Sequence, residues 1–257
     1  MSETSEVLTE RRDGGVLLIT INRPEQRNAV NLAVAEGIGT ALDTLDADPE
    51  LTLAILTGAG KGFSAGMDLK EFAAGRRPWY QDRGFAGIAQ RSAAKPLIAA
   101  VEGFALAGGL EIVLACDLIV AAKGTRLGIP EVKRSLVAAA GGLLRLPQVL
   151  PRAVAFELAL TGDPLLAERA YELGMINRLT EPGGALEGAL ELAAQITPNS
   201  PLGLAGSKRI LNESQDWPVA EFFDRQAEIY GPIFDSEDAK EGAIAFAEKR
   251  APVWKGR

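Results

Sequence analysis

The chain has 257 residues, 47% of them hydrophobic, enough to bury one large core or two small ones. It carries 27 basic and 34 acidic side chains, a net charge of −7 with no basic run, which argues against a nucleic-acid partner. It contains no histidine and one cysteine, Cys116, which excludes a Ser-His-Asp triad, a Cys-His pair, an internal disulfide and a His/Cys metal cluster.

The polar, acidic start Met1–Glu6 is unlike a signal or transit peptide, and no apolar run is long enough to span a bilayer. A lone cysteine fits a reducing compartment, so a cytoplasmic location is expected. Val16–Asn22 reads as a buried strand that stops at Arg23-Pro24. Leu32, Ala35, Ile38, Leu42 and Leu45 recur at three and four, the apolar face of a helix. Leu53–Thr57 is a second strand, closed by Gly58-Ala59-Gly60. Pro96–Val101, Leu118–Ala122 and Met175–Leu179 read as the third to fifth. Asp163-Pro164 predicts a helix start, with Asp as cap and Pro at the first position, and Gly174 predicts its end. Beyond residue 195 the strand signals fade, and Leu202–Asn212, Val219–Tyr230 and Ser236–Lys249 read as helices. The expectation is an α/β protein with a β/α core over residues 1–195 and a helical region over 196–257.

Without histidine, carboxylates are the leading candidates for proton transfer near neutral pH. Three segments could carry chemistry. Phe63–Lys70 follows the second strand, and its small residues and Gly66 let backbone approach a ligand. Its other reading is a plain strand–turn–helix junction. Ala107-Gly108-Gly109-Leu110-Glu111 opens an apolar, buried helix with two glycines. Glu111 in its first turn is either a reacting acid or a partner of the helix dipole. Gly128-Ile129-Pro130-Glu131 places a second acid after a proline; its other reading is a solvated loop acid. Ser64 with Lys70 is discounted as a nucleophile pair, and Gly58-Ala59-Gly60-Lys61 does not match the spacing of a phosphate loop.

In fixed order and nearly end to end, these motifs resemble the crotonase family, the enoyl-CoA hydratase/isomerase superfamily. The resemblance runs from Ile21-Asn22-Arg23-Pro24 and Arg27-Asn28-Ala29 through Phe63–Lys70, Pro96–Gly109, Cys116-Asp117 and Gly128–Glu131 to Ala245–Arg250. It implies a spiral of ββα turns followed by C-terminal helices that form trimers, commonly paired into hexamers. It implies an acyl-CoA thioester substrate, with coenzyme A as part of that substrate and no separate cofactor. By motif position, the N–H groups of Met67 and Gly108 would form an oxyanion hole. Ala65, Asp68 and Leu69 would lie along coenzyme A, and Phe246 and Lys249 would approach it from the C-terminal helix, often of a neighbouring subunit.

Both acids of the hydratase pattern are filled, by Glu111 and Glu131, whereas the isomerase pattern typically uses only the acid matching Glu131. The expected activity is reversible addition of water to a 2-enoyl-CoA, with Glu111 orienting and deprotonating water and Glu131 donating the proton to C2. Among the branches, the segments Phe63–Lys70, Gly142–Pro147 and Phe246–Arg257 look closest to carnitinyl-CoA dehydratases. The alternatives are that activity, an enoyl-CoA isomerase and a non-catalytic acyl-CoA binder. The chain departs from the family pattern in three places: Ala107 replaces the first of three glycines, Met67 stands where small residues are frequent, and Ser135–Ala140 replaces a Gly/Pro loop. The segment Arg76–Phe85 falls in the variable region that covers the acyl pocket.

Overall fold

A computed structural model describes residues 5–257; the first four residues of the polar start lie outside it. In chain order, β1 (Val7–Arg12) and β2 (Val16–Ile21) form a hairpin, and α1 (Leu32–Ala47) leads to β3 (Leu53–Gly58). The short α2 (Leu69–Ala73) and a small hairpin of β4 (Trp79–Tyr80) and β5 (Gly84–Phe85) follow. Next come β6 (Leu97–Val101), β7 (Phe104–Leu106), α3 (Gly108–Leu114), β8 (Leu118–Ala122) and β9 (Arg126–Gly128). A 3-10 turn over Pro130–Arg134 precedes α4 (Gly142–Val149) and α5 (Arg152–Thr161). Then β10 (Leu165–Leu166), α6 (Ala167–Glu172), β11 (Arg178–Thr180) and α7 (Ala185–Ile196) lead to α8 (Pro201–Glu213), α9 (Phe222–Phe234) and α10 (Glu237–Glu248).

The large sheet has the order β1-β2-β3-β6-β8-β11 and is parallel from β2 onward. A second sheet, β10-β9-β7, runs beside it. Successive turns of chain thus place one strand in each sheet before a helical segment, as β6-β7-α3 and β8-β9 with its 3-10 turn do. This is the ββα spiral that the family resemblance implies, within an α/β protein.

The strands of the large sheet are apolar throughout because both faces are covered. Leu17, Ile19 and Ile21 of β2, with Ala54 and Leu56 of β3, face the main core. Val16, Leu18, Leu53 and Ile55 alternate to the other side, where they meet Ala185, Ala189 and Ala193 of α7. On α1, Ala35, Ile38, Leu42 and Leu45 are fully buried, whereas Leu32, at the start of the helix, is exposed. Lys208 of α8 ties the C-terminal helices to the sheet: its Nζ donates to Asp117 Oδ2 at 2.7 Å and to Lys95 O at 2.9 Å.

Two expected elements differ. The strand placed at Met175–Leu179 lies at Arg178–Thr180, because Met175 and Ile176 are buried in the core as the chain leaves α6. The helix expected from Asp163 starts at Ala167 instead. Leu165 and Leu166 first pair with Leu127 and Arg126 of β9, and Asp163 is engaged by Lys133 rather than capping a helix.

Candidate active site

The loop after β3 and the turn after β7 are held in contact by a buried polar network. Asn28, 1% exposed, donates through Nδ2 to Ala59 O at 2.8 Å and Gly62 O at 2.7 Å. Ser64 Oγ donates to Asn28 O at 2.8 Å and accepts from Gly66 N–H at 3.1 Å. A fully buried hydroxyl used in both directions is a fastener, which agrees with discounting Ser64 as a nucleophile. Gly66, at φ +89°, sits so close to the second turn that a Cβ there would lie 2.7 Å from Gly108 N.

This network leaves two amides free. Val30 N–H donates to Gly66 O and Val30 O accepts from Asp68 N–H, so Met67 between them turns its own N–H away from Val30. Across the gap, Ala107 N–H is taken by Gly128 O at 2.8 Å. Gly108 opens α3, so its N–H has no intrahelical acceptor. Among the described residues neither the Met67 nor the Gly108 N–H has a protein acceptor. Gly108 has no room for a side chain, because a Cβ would come within 2.6 Å of the Phe85 ring. Ala107 holds this turn at φ 53°, ψ −131°, a conformation that favours glycine.

Both residues line a cavity of about 530 Å³, within the range of small-ligand sites. Glu111 and Glu131 line it too, with Phe85 and Trp79 on its wall. Glu111 is only 3% exposed and sits in the first turn of α3. Its Oε1 accepts from Ala140 N–H at 2.7 Å and Gly142 N–H at 2.9 Å. Burial raises its pKa above the ordinary carboxylate value, while those amides and the charge of Arg145 pull the other way. Arg145 also holds the clamp, donating to Ala140 O at 3.3 Å and Ala89 O at 2.7 Å.

Glu131 lies on the 3-10 turn opened by Pro130. Its Oε2 is buried without a partner. Burial, reinforced by the negative charge of Glu111, pushes its pKa up to about 7. The two carboxyls are therefore unlike: one is clamped by fixed N–H donors, the other has an unpartnered buried oxygen and a pKa pushed up to about 7.

The remaining expected residues divide. Ala65 and Leu69 line the cavity, and Asp68 does not. Asp68 caps α2 by accepting from Lys70 N–H at 3.1 Å and pairs with Arg23 at 3.1 Å. Phe246 and Lys249 lie on α10 and at its end, outside the lining; Phe246 is 87% exposed. Arg77, Trp79 and Phe85 line the cavity, from the segment Arg76–Phe85 expected to cover the acyl pocket, whereas the clamp of Ala140 and Gly142 and the role of Arg145 were not anticipated. Gly141-Gly142 was the visible signal, since two glycines let backbone close on a carboxylate. Among the described residues there is no His/Cys/Asp/Glu group that could hold a metal, and no helix long and apolar enough to cross a membrane.

Residues 11–257 match the model of the enoyl-CoA hydratase/isomerase family. The chain is 42% identical to a carnitinyl-CoA dehydratase of Salmonella typhi over 98% of its own length and 100% of the relative's. Its structure superposes on an enoyl-CoA hydratase from Mycobacterium marinum with a TM-score of 0.96 at 59% identity, covering 99% of this chain and 100% of that one. A carnitinyl-CoA hydratase from Mycobacterium avium matches with a TM-score of 0.79 at 46% identity, over 99% and 100% of the two chains. The chain belongs to the enoyl-CoA hydratase/isomerase family of enzymes.

Proposed function

We propose that the protein is a hydro-lyase that adds water reversibly across the C2=C3 bond of a 2-enoyl-CoA thioester. The observation that carries this reading is the placing of two chemically unlike glutamates on one cavity with two unpaired backbone N–H groups. As water attacks C3, negative charge develops on the thioester oxygen. The Met67 and Gly108 N–H groups receive it; one such donor typically contributes about 3 kcal/mol. Glu111, its Oε1 already clamped, offers the other oxygen to orient water and take its proton. Glu131 delivers its own proton to C2. Exchange with solvent then restores both groups.

Coenzyme A would run past Ala65 and Leu69, with Asp68 acting through the cap of α2 rather than by contact. Phe246, an aromatic ring left 87% exposed, and Lys249 would meet it across a subunit boundary. The helical region from residue 196 onward would then assemble a homotrimer or a dimer of trimers around an otherwise incomplete coenzyme A site. A second reading, hydration of a carnitine-derived acyl group, is favoured by relatives at 42% and 46% identity whose names carry it.

Incubation with crotonyl-CoA tests the main reading. Loss of the conjugated thioester absorbance, with 3-hydroxyacyl-CoA as product, supports it. Tight binding of several enoyl-CoA esters with no hydrated product would contradict it.

A further inference from the structure

The cavity wall running outward from the oxyanion hole has a definite composition. Phe85 packs against Gly108. Trp79 packs edge-on against Phe85, with centroids 5.8 Å apart at 75°. Arg77 places its guanidinium 5.9 Å from the Trp79 ring centroid. All three line the cavity. The only carboxylates in the lining are Glu111 and Glu131, whereas it holds three arginines, Arg27, Arg77 and Arg134. Arg76 next door is paired with Glu71, but among the described residues Arg77 is in no ion pair.

The hairpin behind this wall is fixed in place, whereas Arg77 is exposed and Trp79 is 39% exposed. Arg83, fully buried, donates to Asp43 Oδ1 through Nε at 2.9 Å and Nη2 at 2.7 Å. Its Nη1 donates to Arg91 O at 3.1 Å and Ser92 O at 3.0 Å. Tyr80 packs its ring on Gly39 of α1, where a Cβ would come within 2.1 Å. The hairpin bearing Trp79 and Phe85 is thus anchored to α1 at several points.

From this wall we infer that the acyl site takes an uncharged, apolar enoyl group and discriminates against one bearing a quaternary ammonium, with Arg77 over Trp79 as the specificity-determining residue. The inference rests on the enoyl-CoA reading of the site and deepens it. A buried quaternary ammonium needs either a carboxylate or a free aromatic face. Here the Trp79 ring, the strongest aromatic cation site in the lining, is already shared with Arg77, which adds like-charge repulsion; the remaining rings, Phe72 and Phe85, are weaker cation partners than tryptophan. The only carboxylates within the lining are the reacting pair. A cation one carbon beyond C3 would favour the ionised form of both, whereas hydration requires Glu131 to keep its proton. The neutral rings of Phe85 and Trp79 carry no such conflict with an alkyl chain.

The test compares kcat/KM for crotonyl-CoA, a longer straight-chain 2-enoyl-CoA and crotonobetainyl-CoA in the wild type, Arg77→Gln and Arg77→Glu. The same proteins are titrated calorimetrically with the saturated esters butyryl-CoA and γ-butyrobetainyl-CoA, which read the preference without turnover. The wild type is expected to favour the apolar esters at least tenfold in both assays. Arg77→Glu is expected to shift the ratio toward the cationic ester by about tenfold or more, and Arg77→Gln by less. Equal or better use of the cationic ester by the wild type overturns the inference and leaves the hydratase reading standing. A ratio unmoved in Arg77→Glu overturns the role of Arg77. Absence of turnover with all three enoyl esters overturns the hydratase reading instead, and the saturated esters then decide the preference.

Discussion

Glu111 and Gly142 are in direct contact: the Gly142 N–H donates to Glu111 Oε1 at 2.9 Å, and a Cβ on Gly142 would come within 3.0 Å of Glu111 Cγ. Residue 142 therefore works as a backbone donor with no side chain of its own. Gly142→Ala should push the carboxylate off its position while leaving the fold intact. Small misplacements of a reacting group are costly, so kcat should fall roughly tenfold to a hundredfold with a smaller change in KM. Steady-state kinetics on crotonyl-CoA, with circular dichroism as the check on folding, measures this.

The two glutamates should give a bell-shaped pH profile of kcat/KM in the hydration direction. The alkaline limb belongs to Glu131, which must be protonated and has a pKa of about 7, so activity should decline as pH rises through that value. The acid limb belongs to Glu111, which must be ionised and whose pKa burial raises above the ordinary value. Arg145→Met removes the charge that opposes this rise. It should move the acid limb to higher pH and leave the alkaline limb in place.

Glu131 also links pH to stability. Its folded-state pKa is raised from 4.5 to about 7, so the folded protein binds more protons than the unfolded chain between those values. Its contribution is most favourable below pH 4.5 and is lost as pH rises through 7. Glu131→Gln should therefore be more stable than wild type at pH 8, by about 1–2 kcal/mol once solvent screening of this partly accessible group is allowed for. The difference should shrink as pH falls toward 5. Denaturant melts at both pH values test the sign.

How much of this was legible in the sequence follows from what each residue contacts. β2, β3, β6 and β8 stand out as apolar runs because both faces of the large sheet are covered. The glycines of Ala107–Glu111 marked the opening of α3. β1 was missed because Val7 alone of its six residues is buried, which leaves no alternation to detect. α7 was missed because its buried side is built from Ala185, Gly188, Ala189 and Ala193, small residues with little hydrophobic contrast. Asp163-Pro164 misled because a favourable local cap lost to strand pairing with β9. Glu111 and Glu131 were legible as an unlike pair, base and acid, through the family resemblance, but the contacts that hold Glu111 were not. Those contacts come from amides at Ala140 and Gly142, far along the chain, and Gly141-Gly142 marks a close backbone approach without identifying Glu111 as its partner.

Ala107 is held at φ 53°, ψ −131° just before the Gly108 donor. Ala107→Gly should relieve strain at that turn, offset in part by the greater freedom of glycine in the unfolded chain. The expected net gain is about 1 kcal/mol, seen as a Tm rise of a few degrees for a chain of this size.

Arg83 is 0% exposed and joins the β4–β5 hairpin to Asp43 of α1. Arg83→Met leaves the Arg91 and Ser92 carbonyls and the Asp43 carboxylate without that partner. The expected cost is about 3 kcal/mol. Because Trp79 and Phe85 form part of the cavity wall, KM for a longer enoyl-CoA should rise more than KM for crotonyl-CoA.

The central claim is that Glu111 and Glu131 together add water at C3. Its most direct test is turnover of a 2-enoyl-CoA in water enriched with heavy oxygen, by the wild type, Glu111→Gln and Glu131→Gln. The account predicts the label on C3 in the wild type and a loss of about 10²- to 10⁴-fold in rate for each variant. Label incorporation that survives either substitution at near wild-type rate would contradict it.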